Sequence, residues 1–280
     1  IEKLIIYSLF YSIILKNYVM KKSLRFIAIA LLLSDCILAQ TPNKNITFRS
    51  QINYATQFGA NSDLANIGGY VDSLGNEYAL VGWEKGLSIV NVNNPNSPVI
   101  VKQITGPTNI WREVKTFGYY AYVTTEGGGG LQIINLRPLP NTNLPVKTIQ
   151  TVISGQTLNS IHALHVDTTK GNLYLYGSNI SNKGALVYSL ADGWNPLYLG
   201  KLDNLYVHDG YVDNDTLFAC HVYNGFFSIV DMRNKANPVV LSQQNTPNNF
   251  THNSWLTPDR KTILTTDEVD DSWLASSDVS

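Results

Sequence analysis

Residues 86–101 read GLSIVNVNNPNSPVIV, and residues 226–241 read FFSIVDMRNKANPVVL. In each, an apolar run rich in Val and Ile ends in Asn or Asp, a polar loop containing Asn-Pro follows, and a second apolar run begins. Runs this short, bounded by Asn and Pro, suit buried strands and are too short for helices. The same stretch occurring twice makes the period of the chain the first question, because a repeat of tens of residues decides the architecture.

A longer unit recurs around these stretches. The first copy runs Ile67 to Val71, turns at Ser73 to Asn76, and continues through Tyr78 to Val81, Gly86 to Val92 and Val99 to Val101. The second has Ile110 to Val114, a turn at Phe117-Gly118, Tyr120 to Val123, and Gly130 to Leu136. The third has Ile161 to Val166, a turn at Lys170-Gly171, Leu173 to Tyr176, Ala185 to Leu190, and Asn195-Pro196. The fourth has Val207 to Val212, the turn Asp213 to Asp215, Leu217 to Cys220, Phe226 to Met232, and Asn237-Pro238. A fifth starts at Thr251 and runs through Trp255-Leu256 and Ile263-Leu264 to the end.

Units of about 45 residues, each with three or four short strands and hairpin turns, predict an all-β fold. A single sheet of this kind cannot bury both faces, and radial stacking solves that. The expected architecture is a β-propeller of repeated three- to four-stranded antiparallel blades. A flat β-solenoid is the second choice, since its coils are usually shorter. A composition of 44% hydrophobic and 15% charged residues is a globular balance, and 16 Tyr with 5 Trp favour strands over helices.

The third strand and its sequel resemble the LVIVD repeat of bacterial surface proteins. The stretches IGGYVDSLGNEYALVGWEKGLSIVNVNNPNSPV (67–99), IWREVKTFGYYAYVTTEGGGGLQIINL (110–136) and THNSWLTPDRKTILTTDE (251–268), in that order, are similar to the choice-of-anchor B family. The resemblance covers roughly Asn61 to Asp271. It implies an extracellular or surface protein of a kind that commonly continues further, sometimes into a C-terminal anchoring or sorting segment. On that comparison Ser280 falls inside the fifth unit, so a C-terminal truncation is expected and blade number and anchor stay open.

Lys21, Lys22 and Arg25 precede the apolar run Phe26 to Leu33, and Ile37-Leu38-Ala39 precedes Gln40. This is the layout of a secretory signal, too short in its apolar part for a membrane span. Asp35 before Cys36 disfavours lipid modification, so cleavage after Ala39 is expected. The expected organisation is 1–19 over-read or non-native, 20–39 signal peptide, 40–60 lead-in, and 61–280 propeller repeats, at least five with the last incomplete. The mature chain then carries 15 basic and 19 acidic residues, a net charge of −4. That surface disfavours nucleic acid, and no membrane span remains. Cys220 is the only cysteine left, so no intramolecular disulfide forms, and its apolar strand marks it as a buried thiol.

Aligning the units on their first strands places Ile110, His162, His208 and His252 at one position, the histidines 46 and 44 residues apart. The ends of the second strands place Glu84, Glu126 and Glu268 together, with Asp267 just before the last and His221 one place earlier in its unit. In an antiparallel pair the start of one strand lies beside the end of the next. Radial assembly therefore gathers His162, His208, His252, Glu126, Asp267 and Glu268 at one mouth of a central channel. Imidazoles with carboxylates suit a divalent transition-metal ion, the only cofactor these residues ask for. The structural alternative is that repeats duplicate residue types, and that each histidine bonds a neighbouring blade.

Weaker signals are read blandly. Gly127 to Gly130 lies between strands and reads as a hairpin, not a phosphate cradle. Asp213-Asn214-Asp215 lacks the later Gly and Glu of a calcium loop and lies where every unit turns. Trp83, Trp111, Trp194 and Trp255 suit core packing or a sugar-binding rim. Asn45-Ile46-Thr47 is a glycosylation sequon in form. No G-x-S-x-G, Walker loop or dinucleotide fingerprint is present. The favoured function is a secreted or cell-surface, non-catalytic module that binds a protein or glycan through one face. The alternative is a metal-dependent hydrolase or lyase, with the metal activating water and Glu126 or Glu268 as base.

Overall fold

Among the described residues, apolar runs alternating with Asn-rich turns fold into 21 antiparallel strands and one short helix, α1 (Tyr54–Phe58). The computed structural model describes residues 45–60 and 62–280. The segments read as over-read sequence (1–19) and signal peptide (20–39) lie outside the described residues. Residues 50–280 form one compact unit, and of the remainder residues 45–49 are exposed and irregular. Among the described residues no helix is long and apolar enough to cross a membrane.

The strands make five sheets in chain order. The first holds β1 (Leu64–Val71), β2 (Glu77–Trp83), β3 (Gly86–Asn91) and β4 (Val99–Thr105). The second holds β5 (Arg112–Phe117), β6 (Tyr120–Thr125), β7 (Leu131–Asn135) and β8 (Val146–Ile149), followed by a small hairpin of β9 (Val152–Ile153) and β10 (Gln156–Thr157). The third holds β11 (Ala163–Asp167), β12 (Asn172–Tyr176), β13 (Ala185–Ser189) and β14 (Leu197–Leu202). The fourth holds β15 (Asp209–Asp213), β16 (Thr216–His221), β17 (Phe226–Asp231) and β18 (Val239–Asn245). The fifth has three strands, β19 (Thr251–Leu256), β20 (Thr262–Asp267) and β21 (Leu274–Asp278).

Side chains alternate across a strand, so a sheet covered on both faces needs apolar residues at every position of its middle strands. The middle strands meet this demand: all of β12 and the first five residues of β3 are buried, whereas β18 is exposed throughout. Ala121, Val123 and Ile134 pack with Leu80 and Ile89 of the first sheet. Their neighbours Tyr122, Leu131 and Ile133 pack with Leu173, Leu175 and Leu186 of the third. In the same way Tyr174, Tyr176 and Val187 turn to Leu217, Ala219 and Val230 of the fourth. Phe218 and Phe227 meet Leu256 and Ile263 of the fifth. Along each middle strand, alternate residues thus face the sheet before and the residues between them face the sheet after.

The repeat is also visible in its turns. Asn91, Asn135, Ser189 and Asp231 end the third strands, and each side-chain oxygen accepts from a backbone N–H two residues on: Asn93 at 3.1 Å, Arg137 at 3.0 Å, Ala191 at 3.2 Å and Arg233 at 2.9 Å. The Asn or Asp that closes the motif is therefore a turn former. Gly86, Gly130 and Gly184 open three third strands, where a Cβ would stand 2.0, 2.3 and 1.9 Å from the carbonyl oxygens of Ile104, Ile149 and Leu202. Only glycine lets the strand begin flush against the end of its neighbour. A bulge at Ile89/Val90, Val187/Tyr188 and Ile229/Val230 recurs between third and fourth strands.

The inner strands β1, β5, β11, β15 and β19 follow one another side by side. Residues of β1, β5, β15 and β19, with His162 just before β11, line a single cavity of about 520 Å3, including Asn66, Glu113, Asp209 and Asn253. The five sheets therefore meet around a central channel, in a propeller-like arrangement.

Candidate functional site at the channel mouth

The histidines sit where the inner strands have just begun. The backbone N–H groups of His162 and His208 donate to the carbonyls of Tyr176 and Cys220 at 3.1 and 2.9 Å, immediately before β11 and β15. His252 is the extra residue of a bulge, since Thr251 pairs with Asp267 and Asn253 with Thr266. A bulge re-aims a side chain, and here it turns the imidazole towards the other two. Ring centroids of His162 and His208 are 4.2 Å apart, and those of His208 and His252 4.6 Å.

Two carboxylates following second strands complete the group. Glu126 accepts at Oε1 from His162 Nδ1 at 2.7 Å, and Glu268 Oε2 lies 3.7 Å from His252 Nε2. One donor atom each from His208, His252 and Glu268 lies within 4.8 Å of the other two. His208 is 8% exposed, and its Nδ1 is buried without a hydrogen-bond partner among the described residues. Burial, with His162 and His252 beside it, pushes the His208 imidazole down to about 3. Burial lowers His252 as well, against the opposing pull of the Glu268 carboxylate.

Two expected positions fall elsewhere. Arg112 pairs with Thr125 as His208 would with His221, so Arg112, and not Ile110, is the equivalent of the histidines in the second sheet. Arg112 is buried and donates to the carbonyls of Trp83 and Pro107, and burial lowers its guanidinium to about 10. It ties the second sheet to the first and takes no part in the cluster. Asp267 is turned away too: its carboxylate accepts from the Thr246 hydroxyl and from the backbone N–H groups of Asn248 and Phe250 at 2.9 and 3.0 Å. It shapes the loop before β19, because a buried carboxylate is stable only where donors surround it.

Below the imidazoles the channel holds two layers that sequence spacing did not single out. Glu113 accepts from Asn66 Nδ2 at 3.3 Å, and Asp209 accepts from Asn253 Nδ2 and Gly210 N. Burial and the nearby Glu113 push the Asp209 carboxyl well above the usual range. Two residues further along, His165, Tyr211 and Trp255 pack with ring centroids 4.7 to 6.0 Å apart. The period-2 alternation of inner strands carries this signal, and it is readable once those strands are known to face an axis.

The lip of the mouth is aromatic. Trp111 is 50% exposed, with its ring centroid 6.1 Å from that of His162. Tyr206 stacks on Tyr223 at 5.2 Å, and Tyr223 is 76% exposed. These two tyrosines and Glu126 border a second cavity of about 350 Å3. The other tryptophans are placed differently: Trp83 is buried against Tyr54 and Phe58, and Trp194 packs on Tyr120. His221 is buried and bonds the Tyr206 carbonyl and the Ser228 hydroxyl, both at 2.8 Å. Cys220 is a buried free thiol, pushed up by burial. At the Asp213–Asp215 turn the carboxylates are taken by Arg260 and Lys235, which leaves nothing for calcium.

The family model of the LVIVD repeat matches residues 68–105, from β1 through the first of the quoted stretches. No curated protein sequence matches the chain significantly. Among solved structures, a Bacteroides uniformis protein provisionally named a 6-phosphogluconolactonase is similar at a TM-score of 0.57 and 12% identity, over 76% of this chain and 67% of that one. A chain of a nidogen/laminin complex is similar at 0.50 and 13%, over 78% and 77%. At such identities the likeness is one of fold. The chain carries an LVIVD repeat on an all-β, propeller-like fold of antiparallel, mostly four-stranded sheets.

Proposed function

We propose that this chain is an exported, non-catalytic binding module of the choice-of-anchor B kind, which engages a glycan or protein at the cell surface through the channel mouth. The observation that carries the reading is the exposed aromatic lip: Trp111 and the Tyr206–Tyr223 stack border two cavities that meet at the His162–Glu126 pair. Large aromatic faces left in water beside unspent polar groups are the usual anchors of recognition surfaces. The exposed Lys183 at the second cavity adds a cationic donor. A sugar ring, with apolar C–H faces and hydroxyls at its edge, matches that mixture. The nidogen/laminin likeness, a fold of this kind within a protein complex, agrees with a binding role.

The test is binding of the purified chain to an array of oligosaccharides and to surface proteins extracted from cells, with Trp111→Ala and Tyr223→Ala alongside. Each truncation removes an exposed anchor worth about 1–2 kcal/mol, which lowers affinity roughly 5- to 30-fold. Melting temperatures should stay near wild type, because neither ring is a core residue. Wild-type affinity in both variants would overturn the placement of the ligand at this mouth.

A further inference from the structure

We infer that His208, His252 and Glu268 bind a divalent transition-metal ion of the zinc class at the channel mouth. Three donor atoms within 4.8 Å of one another, two of them 3.7 Å apart, lie close to what such an ion asks for. Ligands at about 2.0–2.1 Å in tetrahedral geometry stand roughly 3.3 Å from each other, so ring rotations of a few tenths of an ångström to about 1.5 Å close the set. Two imidazoles and one carboxylate select zinc and its neighbours over calcium or magnesium, which take oxygen donors.

The second observation is independent of the spacing. Among the described residues His208 Nδ1 is buried with no partner, a cost that a structural histidine avoids, as His221 does with both nitrogens bonded. A bound ion satisfies such a nitrogen. The scaffold is also well anchored: His252 lies in β19, His208 immediately precedes β15 and Glu268 immediately follows β20, so assembling the ligands costs little chain ordering. Beside them Glu126 holds His162 by Nδ1, the arrangement that orients an imidazole for a metal, and His162 is the candidate fourth ligand. With three protein ligands the fourth position otherwise opens on the 520 Å3 cavity, where a ligand carboxylate or hydroxyl could reach the ion. That last role rests on the proposed binding function, whereas the ion site itself does not.

The experiment is titration of zinc, manganese and calcium into the chelator-treated, purified chain, read by calorimetry and by competition with a chromophoric chelator. Cobalt(II) absorption reports the geometry. We expect one zinc per chain, weak manganese, no calcium, and a visible cobalt spectrum of the low-coordinate type. His252→Ala and Glu268→Gln each remove a ligand, a larger loss than that of an outer partner, and should weaken zinc by about 100-fold or more. Glu268 is half-exposed, so its variant should keep the wild-type melting temperature without metal. No zinc uptake by the folded wild type, wild-type affinity in both variants, or calcium taken in preference to zinc would each overturn the site. Repeating the array binding in chelator separates the two readings. Aromatic-dependent binding that persists without zinc uptake sinks the ion alone, and zinc uptake with Trp111 and Tyr223 dispensable sinks the proposed ligand face alone.

Discussion

Replacing Gly184 by Ala tests whether the third strands begin flush against their neighbours. The new Cβ would stand 1.9 Å from the Leu202 carbonyl oxygen and 2.9 Å from its carbon, where ordinary contact is about 3.4 Å or more. The end of β14 must therefore retreat by roughly 1.5 Å, since the obstacle is backbone and has no rotamer to change. That breaks the first pairing of the β13–β14 ladder, Ala185 with Leu202, worth about 1–2 kcal/mol. It also lifts the buried Leu202 from its packing with Tyr174, Tyr176 and Val187, a further 1–3 kcal/mol or so. The stiffer unfolded chain returns about 0.5–1 kcal/mol, leaving a net loss of roughly 2–4 kcal/mol. In urea or thermal unfolding this is a melting temperature lower by about 5–15 °C for a domain of this size. Gly69→Ala is the matched control, because its Cβ meets nothing within 4 Å, and it should lie within about 0.5 kcal/mol of wild type or above it. A Gly184→Ala protein as stable as Gly69→Ala would refute the argument that sterics at the strand start, and not descent alone, keep glycine there.

Two further outcomes follow from the channel and its rim. Burial, with Lys115 adding to it, holds the His165 imidazole down at about 4, against the weaker pull of Asp213; the folded state stays neutral while the unfolded state protonates, so stability is full above about pH 6.5 and falls as pH drops towards 4, by up to roughly 2–3 kcal/mol. Denaturant unfolding at pH 7 and 4.5 should show that loss reduced in His165→Gln, and equal losses in the two proteins would refute it. Asp267→Ala should cost about 2–4 kcal/mol by leaving the Thr246, Asn248 and Phe250 donors short of an acceptor, yet change zinc affinity less than about threefold. A loss of zinc binding comparable to that of Glu268→Gln would return Asp267 to the cluster.

The fold was legible because its signal is local and repeated. The Asn-Pro loops, the glycine at the start of four of the five third strands and the apolar runs all mark strand ends, and the structure puts strands there. Convergence of His162, His208 and His252 was legible for the same reason, since equal offsets in equal units reach equal places. Arg112 was missed because alignment on apolar residues slid the second unit by two, and an Arg at the head of a strand gives no periodic cue. Asp267 was misplaced because neighbours in a strand face opposite ways, so Glu268 and Asp267 cannot both look into the mouth. The pairs Asn66–Glu113 and Asp209–Asn253 were invisible without knowledge of which strands are innermost.

The repeat also explains why imidazoles gather at this mouth. Middle strands are constrained on both faces, each residue serving the sheet before or after, so substitution there costs cavity or strain energy. The ends of inner strands face only the axis, where one residue from each of several sheets meets its counterparts. A side chain placed there by a single unit stands alone, whereas the same side chain in three successive units forms a cluster. The first and second units break the series, with Arg112 in the second spent on holding Trp83 and Pro107. The cluster is therefore lopsided, with its imidazoles on the third, fourth and fifth sheets and the exposed Trp111 beside His162. A symmetric mouth would suit a small ion alone. An asymmetric one, with aromatic rings beside imidazoles and carboxylates, sets two chemistries next to each other, the arrangement that would serve the proposed binding role.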